Sequence, residues 1–580
     1  MQFRVLKIVP LVFFFACSQG DPAYVESGAA ASTKYVAPSP TGSCNLSTGD
    51  GSLTKPYTSL YWVMTQSNLK CGDTLMLRKG TYRIDRTNAF FPAADRLANC
   101  SNKEVAWNSG SDGETTILPI FGSRYNCPSG SPLTITNYPG EDVVLDGTDL
   151  RMDSGSNWQQ CTSTSCCGAP VSGVSNLTKY YCSKNFNVSN TDTPQIWVSN
   201  SDSTAGDRLQ WWANSYAVQG SDELKDHFVG MGPGKFFSVC GGTGSCMLPP
   251  DYTVPGPGLI VLRLKDDSNP NTKKIKLTCE GGSCAYNLIT ITGKANNVII
   301  KKTTTSNGAG TFRLKYSYFP IRTIANSLGS PTNITIDGLN ILAAGGRDYG
   351  QCIRVYDGNN ITVKNVACVE SMAEGIAFYG GGPGDGYNPD GNNLTGNVVS
   401  NSFIYNTGLA YLDGGGKGMS SLGMGIIIKN CSTCSAENNV IQKTLRGGIQ
   451  VNTSDKCAND TACYSNNVLI KGNTVSDNCR ITEEAGLPYP GDSNRGSDYC
   501  GAIHAFLAVG ESRHQIRNLS VTGNTVSKNY TWLNNNGANP GGITIDGPVQ
   551  GSIYGNTFNN NLKLVNRGGT ISAPSNTFNP

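Results

Sequence analysis

The stretch NNVLIKGNTVSDN, residues 466–478, returns almost unchanged as NLSVTGNTVSKN, residues 518–529. The two copies share Asn, Gly, Asn, Thr, Val, Ser and Asn in register. A third copy, Ile553-Tyr-Gly-Asn-Thr-Phe, lies near the C-terminus. Looser copies begin at Asn297 (NVIIKK), Asn333 (NITIDGLNI), Asn360 (NITVKNVAC) and Asn438 (NNVIQKT). Within each copy apolar and polar residues alternate, as at Val468 and Ile470, which is the period of a strand. Gly-Asn splits the two strands, because both residues tolerate the positive φ of a sharp turn. A second marker opens with glycine: Gly375-Ile-Ala-Phe, Gly425-Ile-Ile-Ile, Gly448-Ile-Gln-Val, Gly501-Ala-Ile-His and Gly542-Ile-Thr-Ile. The two markers together describe a coil of about three short strands, which buries its apolar face only by stacking on its neighbours. Aligned Asn residues of successive turns would then form a ladder of hydrogen-bonded amides.

This pattern resembles the right-handed parallel β-helix of the pectate-lyase-like superfamily, over roughly residues 290–578. The resemblance implies an all-β chain: a right-handed parallel β-helix solenoid with an N-terminal capping helix and a small β-rich insertion. The segment GDGSLTKPYTSLYWVMTQSNLKCGDTLML, residues 49–77, is similar to the cap and first coil of bacterial polysaccharide-processing β-helices, with a short helix over Leu60–Leu69 and a strand at Thr74. Residues 34–149 are read as the cap and first coils, residues 150–285 as a Cys- and Trp-rich β insertion, and residues 286–580 as the regular repeats. In the insertion, Trp158, Trp197, Trp211 and Trp212 are either its core or a platform on which sugar rings stack.

Composition narrows the function. The 580 residues hold 69 glycines and only 15% charged side chains, with a net charge of +3 and no clustering of Lys and Arg. Nucleic acid is therefore not an expected partner. The first 17 residues carry Arg4 and Lys7 ahead of an apolar run, a secretory signal too short to span a membrane. Phe14-Phe15-Ala16-Cys17 resembles the lipobox of bacterial lipoproteins. That implies lipidation at Cys17, a tether over residues 18–33 and an exported protein on the outer membrane or cell surface; the alternative is an ordinary cleaved signal and secretion. Setting Cys17 aside leaves twenty of the 21 cysteines. They group along the sequence as Cys44/Cys71, Cys100/Cys127, Cys240/Cys246, Cys279/Cys284, Cys352/Cys368, Cys431/Cys434, Cys457/Cys463 and Cys479/Cys500, with a foursome of Cys161, Cys166, Cys167 and Cys182. Such grouping in an exported chain reads as disulfides, with a metal or redox site at Cys431/Cys434 as the alternative.

The resemblance implies an extended polysaccharide as the ligand and two competing chemistries. A lyase acting on uronic acids neutralises a carboxylate with calcium or Arg and removes the neighbouring carbon-bound proton with a base. Lys417, in Asp413-Gly-Gly-Gly-Lys, is a candidate base, and Arg446, in Thr444-Leu-Arg-Gly-Gly, a candidate for either job; a solvated Lys and a structural Arg are the alternatives. The Arg446 motif resembles Leu-Arg-His-Gly of chondroitinase-B-like and alginate lyases, with Gly447 in place of the His. Asp385, Asn388 and Asp390, in GDGYNPDG, are the candidate Ca2+ ligands, or a plain turn. A hydrolase instead requires two carboxylates about 5–9.5 Å apart. Acids one coil apart, about 4.8 Å, meet that condition. Asp348 with Glu374, and Asp390 with Asp413, have the sequence spacing for it. Glu374, at the entrance of a glycine-marked strand, joins Lys417 and Arg446 in the candidate site. His504, one of three histidines, falls inside a strand and reads as structural. The expected function is binding and cleavage of a polysaccharide by a monomer, elimination ahead of hydrolysis, with a non-catalytic scaffold or adhesin as the alternative.

Overall fold

The computed structural model describes residues 31–38, 49–83, 116–148, 157–183 apart from 172, 195–199, 207–211, 228, 231–241, 253–254, 259–278, 286–303, 310–346 apart from 327, 350–380, 394–409, 423–453, 464–478, 501–507, 515–528, 532–534, 537–539, 542–560 and 562–580. Cys17, Asp348, Asp385, Asn388, Asp390, Asp413 and Lys417 lie outside these residues.

Three long sheets wind around one core. The chain visits them in turn, as in Thr332–Asp337, Asn340–Ala344 and Ile353–Val355, before Thr362–Lys364 rejoins the first sheet one coil on. Every strand pair within these sheets is parallel among the described residues, for example Ile336 with Val363, Ile341 with Cys368 and Ile353 with Ile376. The period of two settles which side chains face inward: Val468, Ile470, Val475, Val521, Val526, Ile545 and Ile553 all join one continuous buried core. The chain is a parallel β-helix, as the repeats lead one to expect.

The turn residues have a concrete geometric role. The corner between the first and second sheets is left-handed in coil after coil, at Asn365, Asn401, Asn438, Gly472, Gly523 and Gly555. A Cβ at Gly472 would stand 2.3 Å from the Asn438 side-chain oxygen of the previous coil, so a larger residue there would have to displace that side chain. The residue after the corner points inward and forms the ladder. Asn439 donates from its backbone N–H and its side-chain amide to Asn473 Oδ1, both at 2.9 Å; Asn473 repeats this to Asn524, and Asn524 to Asn556. Each amide also donates to a backbone carbonyl, such as Asn473 to Ala436 at 2.9 Å. Buried polar groups are thereby satisfied inside an aliphatic core. The glycine of the second marker admits the neighbouring sheet: a Cβ on Gly425 or Gly448 would meet Ile441 Cγ2 at 2.4 Å or Val475 Cγ1 at 2.2 Å.

Two other features flank the repeats. The helix Leu60–Gln66, capped by the Ser59 hydroxyl, places Val63 and Met64 in the same core. Between Val143–Asp146 and Asn287–Thr292 the chain forms antiparallel strands, among them Tyr181–Ser183, Lys235–Gly241 and Leu259–Arg263. Trp158 is buried in the core of this unit, and Trp197 is buried between it and Tyr316, Ala343, Met372 and Leu409 of the solenoid. These two tryptophans are packing residues, not sugar platforms.

Disulfides join Cys161–Cys166, Cys167–Cys182, Cys352–Cys368 and Cys431–Cys434. The last removes the thiolates that a metal site at this pair needs. Cys71 departs from its expected group and bonds Cys127, 56 residues away. Both precede adjacent first-sheet strands, where Thr74 pairs with Thr134, so stacking of coils, not nearness along the chain, brings them together.

Two outcomes follow. Asn473→Ala removes ladder bonds on both sides and should lower unfolding stability by about 2–3 kcal/mol. Exposed Lys471→Ala should stay within about 0.5 kcal/mol; equal midpoints in denaturant titrations would contradict the ladder's role. Non-reducing peptide mapping should recover Cys71–Cys127 and Cys352–Cys368, and free thiols at these positions would contradict the pairing.

Candidate functional site

The inner face of the third sheet is aliphatic, with Ile321, Ile353, Ile376, Ile426, Ile449, Ile503 and Ile543 in the core. The residue following each of these points to the outer face. Register places Arg322, Arg354, Ala377, Ile427, Gln450, His504 and Thr544 in one column across successive coils. All seven are buried. A buried column on an outer face is expected to be apolar; this one is polar at both ends and apolar at Ala377 and Ile427.

At the first end, Arg354 lies against three rings, its guanidinium carbon 3.6 Å from the Tyr356 centroid, 4.6 Å from Phe319 and 5.8 Å from Tyr379. Arg322, on the adjacent strand, is 5.4 Å from both the Phe319 and Tyr356 rings. Aromatic faces hold guanidinium groups by cation–π attraction and leave their in-plane N–H fork suited to a planar carboxylate. Glu374 lies at the edge of this cluster. It is fully buried and accepts a 2.6 Å hydrogen bond from Gln351 Nε2, and Oε1 of either residue has no hydrogen-bond partner among the described residues. Burial drives the Glu374 carboxyl above its ordinary range, against the hydrogen bond from Gln351 and the charge of Arg354.

At the other end, Gln450 pairs in register with His504, and His504 with Thr544. His504 Nε2 is 2.8 Å from Asp546 Oδ2, and its ring stacks on Phe506 with centroids 4.9 Å apart. Arg567 also reaches Asp546, with Nη2 3.2 Å from Oδ2. Burial would raise the Asp546 carboxyl, but His504 and Arg567 together hold it below its ordinary range.

The structure describes two of the three expected site residues. Glu374 and Arg446 occupy the same corner, where the chain passes from the second sheet to the third, two coils apart. Met424 stands in register with Gly447, the residue after Arg446. Arg446 is half-buried, and its backbone N–H donates to the Gly423 carbonyl at 3.1 Å. Lys417 lies outside the described residues. His504 lies in the strand Ile503–Phe506, as expected, but on the outer face beside Gln450. Arg322, Arg354, Tyr356, Tyr379, Gln351 and Gln450 were not singled out from the sequence. For Gln450 the available signal was its place two residues after Gly448; Arg322 and Arg354 follow no such glycine and emerge only once the coils are aligned.

No family model and no curated protein matches the chain. Among solved structures it is similar to XylC in complex with xylose, at 11% identity over 92% of this chain and 70% of that one, with a TM-score of 0.48. It is also similar to a glycoside hydrolase, at 10% identity over 95% and 97% of the two chains, TM-score 0.44, and to the pectate lyase Pel9A, at 13% over 94% and 80%, TM-score 0.30. Such scores add nothing to what the strand register already establishes: this chain is a parallel β-helix.

Proposed function

We propose that this protein binds an acidic polysaccharide along the outer face of its third sheet and cleaves it by β-elimination. The observation that carries the reading is the pair Arg322 and Arg354, side by side on adjacent strands and held against Phe319, Tyr356 and Tyr379. Two guanidinium groups at one level match a uronate carboxylate, whose neutralisation acidifies the proton on the neighbouring carbon. A base takes that proton, the electrons form a carbon–carbon double bond, and the glycosidic carbon–oxygen bond breaks. Lys417 is the proposed base. Glu374, whose carboxyl burial raises above its ordinary range, is the proposed donor to the leaving oxygen, with Arg446 at the same corner. Ca2+ held by Asp385, Asn388 and Asp390 would assist in neutralising the carboxylate. Hydrolysis is the less favoured chemistry. Buried Glu374 and half-buried Asp546 are four strands apart, roughly 19 Å at about 4.8 Å per strand, beyond the span of a hydrolytic pair.

The same reading assigns the rest of the chain. Residues 1–17 export it, Cys17 anchors it by lipid, and the monomer stands clear of the membrane on residues 18–33. Leu60–Gln66 caps the first coil, which would otherwise expose apolar rungs and an open sheet edge. Residues 150–285 form an insertion clamped to the solenoid by Trp197.

Purified protein should release products from acidic glycans that show both new reducing ends and the ultraviolet absorbance of an unsaturated uronate. Reducing ends alone would mean hydrolysis, and neither signal across a broad panel would favour a binding scaffold. Arg354→Gln should slow cleavage by about a hundredfold or more. A second measurement follows the Glu374 proton. The unfolded chain loses it near 4.5, the ordinary value, whereas the folded chain keeps it to higher pH. Stability from this group is therefore complete at low pH and falls as pH climbs from 4.5 through the folded-state value. Glu374→Gln should gain melting temperature over the wild type between about pH 4 and about pH 7. A constant difference across that range would show that Glu374 is not held protonated.

A further inference from the structure

Gln450 is the least explained polar group of the described residues. It is 0% exposed, and neither its Nε2 nor its Oε1 has a hydrogen-bond partner among the described residues. The Oδ1 of Asn452, two residues on along the same face and 5% exposed, also has none. Leaving a buried donor or acceptor unmade costs about 1–3 kcal/mol each. The ladder amides on the inner face are fully bonded, so the fold is able to satisfy a buried amide where the amide serves structure. Of the charged groups beside these amides, Asp546 receives both His504 and Arg567, and Lys429, in register with Asn452, has its ammonium 6.0 Å from the Tyr379 ring centroid. What Gln450 itself offers a ligand is an amide donor and an amide acceptor beside the stacked His504 and Phe506 rings.

We infer that Gln450 and Asn452 form a second subsite that recognises the hydroxyl groups of an uncharged portion of the polymer, a sugar unit distinct from the one whose carboxylate meets Arg354. Adjacent hydroxyls present a donor and an acceptor side by side, which a primary amide pairs with both of its polar ends. Gln450 is three strands from Arg354 in one register column, roughly 14 Å at about 4.8 Å per strand. Ala377 and Ile427 lie between them, packed with Tyr379 and Met424 in a buried apolar cluster that separates the two polar ends. The inference rests on the polysaccharide reading, and it adds that the ligand is long enough to span both clusters and meets each through different chemistry.

Gln450→Leu tests it, since leucine fills a similar volume and removes the unmade bonds. Calorimetric binding is measured with polygalacturonate, alginate and xylan and with their size-fractionated oligomers, alongside thermal melts. The variant should melt at or above the wild-type temperature and lose at least about tenfold in affinity for oligomers spanning the two clusters. Affinity for disaccharides should be unchanged. A lowered melting temperature would mean that the amide serves the fold, and that would overturn the subsite. So would undiminished affinity for long oligomers in a folded variant, while leaving the polysaccharide reading in place. Wild-type protein that binds none of these glycans would overturn that reading, and the subsite with it.

Discussion

Coil-to-coil register is the constraint on which everything else in this molecule depends. Each residue of the solenoid lies over its equivalent in the next coil, and the inward amides from Asn439 to Asn556 lock that alignment with paired bonds at 2.9 Å. A slip of one residue would turn Ile470 and Val521 out of the core and break the amide chain at once. Apolar packing alone would tolerate Ile for Val at many positions, but the amides accept only one neighbour. The left-handed corners make this possible, because Gly and Asn are the residues that adopt positive φ at little cost.

The same register that orders the core also orders the outer face. One choice of residue per coil, repeated, produces a column running the length of the sheet. Where the inner column is uniformly aliphatic, the outer one changes character from Arg322 and Arg354 through Ala377 and Ile427 to Gln450 and His504. Buried arginine, a buried carboxyl and a buried unpartnered amide all work against folding stability. Their local cost is offset by the packing and hydrogen bonding of the rest of the fold. The antiparallel unit contributes at the neighbouring corner, where Trp197 seals Tyr316, Ala343, Met372 and Leu409 away from water.

The repeat architecture, the amide ladder and the membership of the core were legible in the sequence by itself, because each is written locally. Period-two alternation and Gly-Asn turns depend on a residue and its near neighbours, so Val468, Ile470, Val475, Val521 and Val526 could be placed inward without knowing where any coil lay. The position of Glu374 at the entrance of a glycine-marked strand was also legible. The outer column was not, because the connections between coils differ in length. In the third sheet Ile376 stacks on Ile426, Ile426 on Ile449 and Ile449 on Ile503, so no fixed sequence interval relates Arg354 to Gln450 or His504. Cys71 and Cys127 carry the same lesson, being neighbours across coils and strangers along the chain. Local pattern determined that this chain would wind and what it would bury. Only the tertiary structure decided which polar side chains meet on its outer face, since that depends on where each long excursion returns to the stack.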